Sequence, residues 1–184
     1  MDIQARLIQE HSKRTTEDIT EYIGNDPTRF GELMQLFFGE ELVLVQRSAW
    51  VLSHVCVEFP ELILPYQEEL IQALQQPIHP AVQRNLLKIL AESKLPLSED
   101  TEGHLVNICF DLIPQPHLPA AIRVHAMQYI ANSTDQYPEL AIELKTVIED
   151  GMEHGTAGFR SRGKKILTRI NPIVINLQDL DSLD

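Results

Sequence analysis

"VQRSAWVLSHVC", residues 45–56, recurs along the chain in altered form. Its counterparts are "VQRNLLKILAES" from Val82, "IRVHAMQYIANS" from Ile122 and "FRSRGKKILTRI" from Phe159, with starts 37, 40 and 37 residues apart. Each opens on a large apolar residue, and a basic residue follows within two positions. Four positions on stand Ala49, Leu86, Ala126 and Gly163; seven positions on stand Leu52, Ile89, Tyr129 and Ile166. Offsets of zero, four and seven share one face of an α-helix, whereas a strand would alternate. The anchors Val45, Val82, Ile122 and Phe159 are therefore expected in the core.

A second amphipathic segment precedes each of these: "DPTRFGELMQLFF", "PELILPYQEELIQAL", "SEDTEGHLVNICFDLI" and "YPELAIELKTVIEDGM". Counting twelve back from the anchors gives Leu33, Leu70, Phe110 and Val147, so the partner helix keeps register too. Asp26-Pro27, Pro60, Pro80, Pro119 and Pro138 cluster near helix starts, where a missing N–H is harmless, and Ser98 reads as an N-cap. A helix pair at this period predicts an all-α superhelix of the HEAT-like solenoid kind. Four antiparallel pairs are expected over 26–60, 61–97, 98–137 and 138–170, in a single domain spanning 1–170. A further pair, at about 2–13 and 16–24, covers the open end. Pro172 predicts a helix stop, followed by an acidic, mobile tail over 171–184, "NPIVINLQDLDSLD".

"DPTRFGELMQLFF", "VQRSAWVLSHV", "PELILPYQEELIQAL" and "GFRSRGKKIL" together resemble segments of small bacterial HEAT-type, armadillo-like helical repeat proteins of uncharacterised function. The resemblance runs from about Ile8 to Leu167. It implies the α-solenoid fold and brings no established activity or catalytic residue.

Composition narrows the function. At 184 residues the chain can bury a substantial core, and 43% apolar with 23% charged residues is ordinary for a soluble globular protein. A formal charge of −12 disfavours nucleic acid or an anionic membrane as a general partner. The two cysteines, Cys56 and Cys109, stand in apolar runs and form neither a disulfide framework nor a zinc pattern, which fits a reducing cytoplasm. The first residues, "MDIQARLIQEHSKR", lack the apolar centre of a signal peptide. None of the seven histidines is paired at the i, i+4 spacing of a helical zinc site.

One stretch imitates a nucleotide site. "GFRSRGKK", residues 158–165, reproduces most of the G-x-x-x-x-G-K-[ST] phosphate loop. That loop needs a strand before it and a hydroxyl after its lysine; here the preceding segment has helical periodicity and the last position is Lys165. Gly163 also falls where the other repeats carry Ala49, Leu86 and Ala126, a close-packing position. The stretch is read as helix.

Two candidate surfaces follow. Five positions after the anchors stand Trp50, Leu87, Met127 and Lys164, edged by Arg47, Arg84 and His54. As a groove, this row would receive a peptide or amphipathic helix, the arginines orienting an acidic segment; alternatively the inner helices are buried on all sides. The second is an anion patch of Arg160, Arg162, Lys164 and Lys165, with Arg169 beyond; alternatively it is a solvated face balanced by acidic neighbours. The expected function is a non-catalytic interaction module that binds a protein or peptide, without cofactor, metal or small-molecule substrate. An enzymatic alternative is adenylosuccinate lyase. Lyases of that superfamily resemble one another in a Gly-Ser-Ser-x-Met-Pro-x-Lys-x-Asn loop, but this chain contains neither a Ser-Ser pair nor a Met-Pro. Anion or nucleic-acid binding through the C-terminal basic helix is a third reading.

Overall fold

Local start signals set the helix boundaries. The computed structural model describes residues 1–76, 78–93 and 97–181; among them are ten α-helices, one 3-10 helix and no strand. Helix α1 (Ile3–Gln9) is capped by Asp2, and α2 (Lys13–Ile23) by Ser12, whose Oγ accepts the Thr15 N–H. This cap starts α2 three residues earlier than periodicity suggested. Asp26 accepts from the N–H groups of Thr28 and Arg29 and, with Pro27 at the first position, opens α3 (Pro27–Phe37). Helix α4 (Leu42–Glu58) follows.

The segment from Pro60 is not one α-helix as periodicity suggested. It forms a 3-10 helix over Pro60–Tyr66 and only then α5 (Gln67–Gln75). Pro65 lies inside the 3-10 stretch, where it offers no N–H and its ring obstructs an α-helical turn. Helices α6 (Pro80–Glu92), α7 (Glu99–Leu112, capped by Ser98), α8 (Ala120–Ser133), α9 (Leu140–Met152) and α10 (Ala157–Asp181) complete the chain.

The expected single domain divides into two compact units, Met1–Pro96 and Leu97–Asp184. In the first, α4 packs against α1, α2, α3 and α6. In the second, α8 packs against α7, α9 and α10, and α9 lies against α10. Val82, Ile122 and Phe159 are buried, as are all eight residues at the offsets of four and seven. Val45 is only half-buried, because α4 begins at Leu42 and the adjacent Leu44 takes the core position in its first turn. Leu33 and Leu70 are core residues, whereas Phe110 and Val147 are half-buried beside fully buried Cys109 and Ile148. In the second unit the buried outer-helix position is thus displaced by one residue, backward at Cys109 and forward at Ile148.

Pro172 does not end a helix. Helix α10 runs through it for 25 residues, so 171–181, expected as a mobile tail, is helical. The core-facing series Phe159, Gly163, Ile166, Ile170 and Val174 continues across the proline, and burial of Val174 on its far side offsets the lost hydrogen bond. Residues 182–184 of that expected tail lie outside the described residues.

Phe159 is seated by two glycines. A Cβ on Gly151 would lie 2.6 Å from the Phe159 ring, and one on Gly155 would lie 2.7 Å from both that ring and the Gly151 carbonyl oxygen. Over the ring lies the Arg123 guanidinium, 4.1 Å from its centroid, and Arg123 Nε donates to the Ile113 carbonyl at the end of α7. Arg123 is only 5% exposed, so this carbonyl and the aromatic face replace much of its hydration. Gly155→Ala should lower stability by about 1–3 kcal/mol, because backbone stands in the way. Gly158→Ala, whose added methyl meets nothing closer than Thr156 Oγ1 at 3.9 Å, should be neutral or gain up to about 1 kcal/mol from helix propensity. Denaturant midpoints of the two variants check the contrast; equal destabilisation would contradict the seat.

Candidate functional site

The inner helices do not present the expected apolar row. Leu87 and Met127 are both 0% exposed, Trp50 is half-buried and Lys164 is exposed. The cause is visible in α8, where Ile122, Ala126, Met127, Ile130 and Ala131 are all fully buried although they surround the helix axis. A helix that is apolar on most sides is covered on most sides.

Arg47 is not a free edge charge either. Its Nη1 donates to the carbonyls of Leu7 and Ile8, the latter at 3.1 Å. These are C-terminal carbonyls of α1 that lack a partner within the helix, and a cation is favoured there. Arg84 is exposed and donates from Nη2 to Asn85 Oδ1 at 3.3 Å. Trp50 stands between two histidines: His11 approaches it edge-on at 4.9 Å between centroids, and His54 at 5.8 Å. His54 Nδ1 lies 2.9 Å from the Trp50 carbonyl. A carbonyl can only accept, so the contact requires a proton on Nδ1.

Beyond His54 a groove of about 320 Å³ opens between α2 and α4. Helix α2 and its following turn contribute Glu17, Thr20, Glu21 and Gly24; the end of α4 contributes His54, Glu58 and Phe59. Thr20 spends its hydroxyl on the Thr16 carbonyl, so it lines the groove without offering a free donor. Three carboxylates, Glu17, Glu21 and Glu58, are the acidic groups of the lining. Only Glu17 among them pairs with a described residue at ion-pair distance, Lys13 at 3.4 Å. Of the residues expected at the edge of the inner row, this groove takes in only His54. Glu17 and Glu21, one turn apart on α2, were the available sequence signal, but nothing in the sequence places Glu58 beside them.

In the second unit the basic residues separate into two groups. Arg162 donates to Gln128 Oε1 at 2.7 Å, while Arg169 reaches Asn132 Oδ1 and Asp135 Oδ1, both at 2.9 Å. Arg160, Lys164 and Lys165 are exposed and form no ion pair among the described residues. The phosphate-loop imitation lies in the first turns of this helix, and Gly163 serves close packing against Ile148 and Met152. Burial pushes the Cys56 thiol up to about 12 and raises that of Cys109 as well, so neither is available as a thiolate at neutral pH. Among the described residues no group of three or more acidic, histidine or cysteine side chains could hold a metal, and no helix is long and apolar enough to cross a membrane.

The helix pairs and their period meet an independent comparison. The family model for the HEAT repeat domain matches residues 3–170. The chain belongs to the HEAT repeat family. Such helical repeats often mediate protein interaction and are generally non-catalytic. No curated protein and no solved structure matches the chain.

The His11 contact with Trp50 gives a pH dependence. Desolvation, then repulsion from Arg47, holds the His11 imidazole below the usual histidine range. The folded state therefore takes up this proton less readily than the unfolded chain. Stability from this group is complete above the ordinary histidine pKa and declines as pH falls below it. The thermal midpoint of the unmodified protein should fall more steeply between about pH 7 and pH 5 than that of His11→Phe. Parallel curves would remove His11 from the account.

Proposed function

We propose that this HEAT repeat domain is a non-catalytic interaction module whose α2–α4 groove receives a basic side chain of a protein partner. The observation that supports this reading is the convergence of Glu17, Glu21 and Glu58 on one concave surface beside His54. The groove is large enough for a lysine or arginine, and its charge steers such a partner toward it. The partner chemistry differs from an acidic segment oriented by Arg47, because that guanidinium is held by the α1 carbonyls.

Trp50, the single tryptophan, meets the groove-lining His54 edge-on and serves as the reporter. Titration with a lysine- and leucine-rich amphipathic peptide should shift its emission in a saturable, salt-sensitive manner. The double variant Glu17→Lys, Glu21→Lys should weaken binding by about tenfold or more. Both residues are exposed, so stability should stay within about 0.5 kcal/mol for each. An unchanged affinity in the variant would overturn the site. Adenylosuccinate incubated with the protein should remain intact; turnover that follows the protein through purification would overturn the non-catalytic reading.

A further inference from the structure

Helix α10 carries a charge distribution unlike the rest of the molecule. No acidic residue occurs between His154 and Asp179, and five lysines and arginines fall in that interval of a chain whose net charge is −12. Other helices place cations one turn before a glutamate: Arg6–Glu10 at 3.9 Å, Lys13–Glu17 at 3.4 Å and Lys88–Glu92 at 4.0 Å. On α10 the equivalent pair is Arg160 and Lys164, two like charges that repel by a few tenths of a kcal/mol.

Packing of the helix accentuates this asymmetry. Phe159, Gly163, Ile166 and Ile170 face the core, and Arg162 and Arg169 turn aside to hydrogen-bond with α8. Arg160 and Lys164 share a solvent-facing side one turn apart, and exposed Lys165 stands next to Lys164 further round the helix; none of the three has an ion pair among the described residues. Arg160 lies in the first turn of the helix, where the positive end of the helix dipole adds to its field.

We infer that this face of α10 is a second docking surface, for a short acidic segment of a protein partner. The inference rests on the interaction-module reading and assigns it a site separate from the α2–α4 groove. Arg160 and Lys164 lie about 6 Å apart along the helix axis, the separation of carboxylates one turn apart on an acidic helix. A nucleic-acid strand fits less well, because exposed Glu149, Asp150 and Glu153 stand just before α10 in the chain and oppose an extended polyanion.

The test is fluorescence anisotropy with a labelled glutamate-rich peptide. Binding is expected, weakening by about tenfold as salt rises to several times physiological strength. Lys164→Glu with Lys165→Glu should reduce affinity by about tenfold or more while the thermal midpoint is retained. Should that reversal unfold the helix, Lys164→Gln with Lys165→Gln should still weaken binding measurably. Glu17→Lys with Glu21→Lys should leave this binding unchanged, which separates its failure from failure of the groove. Absence of peptide binding, or its loss in the groove variant alone, would overturn the inference. So would displacement of the peptide by an oligodeoxynucleotide at a lower concentration than by unlabelled peptide.

Discussion

An amphipathic helix of eleven to seventeen residues cannot bury its apolar face alone, and the arrangement of this chain follows from that constraint. Each inner helix meets its neighbours through the offsets of four and seven. Ala49, Ala126 and Gly163 keep three of the four close-packing positions small, allowing backbones to approach. The fourth, Leu86, fills the same position with a larger side chain and is nevertheless fully buried. The repeat therefore constrains burial more strictly than residue size.

Where the approach is closest, specific compensation is found. Phe159 is a large anchor, and Gly151 and Gly155 make room for its ring while Arg123 covers the other face. Burying a guanidinium without a carboxylate partner is unfavourable unless other acceptors replace water. The Ile113 carbonyl and the aromatic quadrupole supply that replacement, tying α7, α8 and α10 together within the second unit. Arg47 does comparable work in the first unit, closing the open end of α1. Both arginines are engaged by main-chain acceptors, which removes them from the surface field.

The electrostatics that remain are segregated. Carboxylates line the α2–α4 groove, whereas α10 retains three exposed cations without an ion pair among the described residues. Segregation of this kind favours encounter with partners of opposite sign and disfavours partners of uniform charge. It also gives the two surfaces different salt and mutational signatures, so they can be examined separately.

Period and helix pairing were legible in the sequence because they recur along it; the helix start at Asp26-Pro27, the cap at Ser98 and the helical nature of the Gly158–Lys165 stretch were legible because they depend on residues within one or two turns. The burial of Leu87 and Met127, the capture of Arg47 by α1 and the placing of Glu58 on the same groove as Glu17 and Glu21 were not. Each depends on which side of a helix a neighbour distant in sequence covers. Pro172 illustrates the same division. Local chemistry alone argues for a stop, since proline removes a hydrogen bond, yet α10 continues because Val174 finds a place in the core. The sequence by itself determined which faces had to be buried. Tertiary packing decided what covers them, because burial free energy summed over a contact surface exceeds the preference of any single residue.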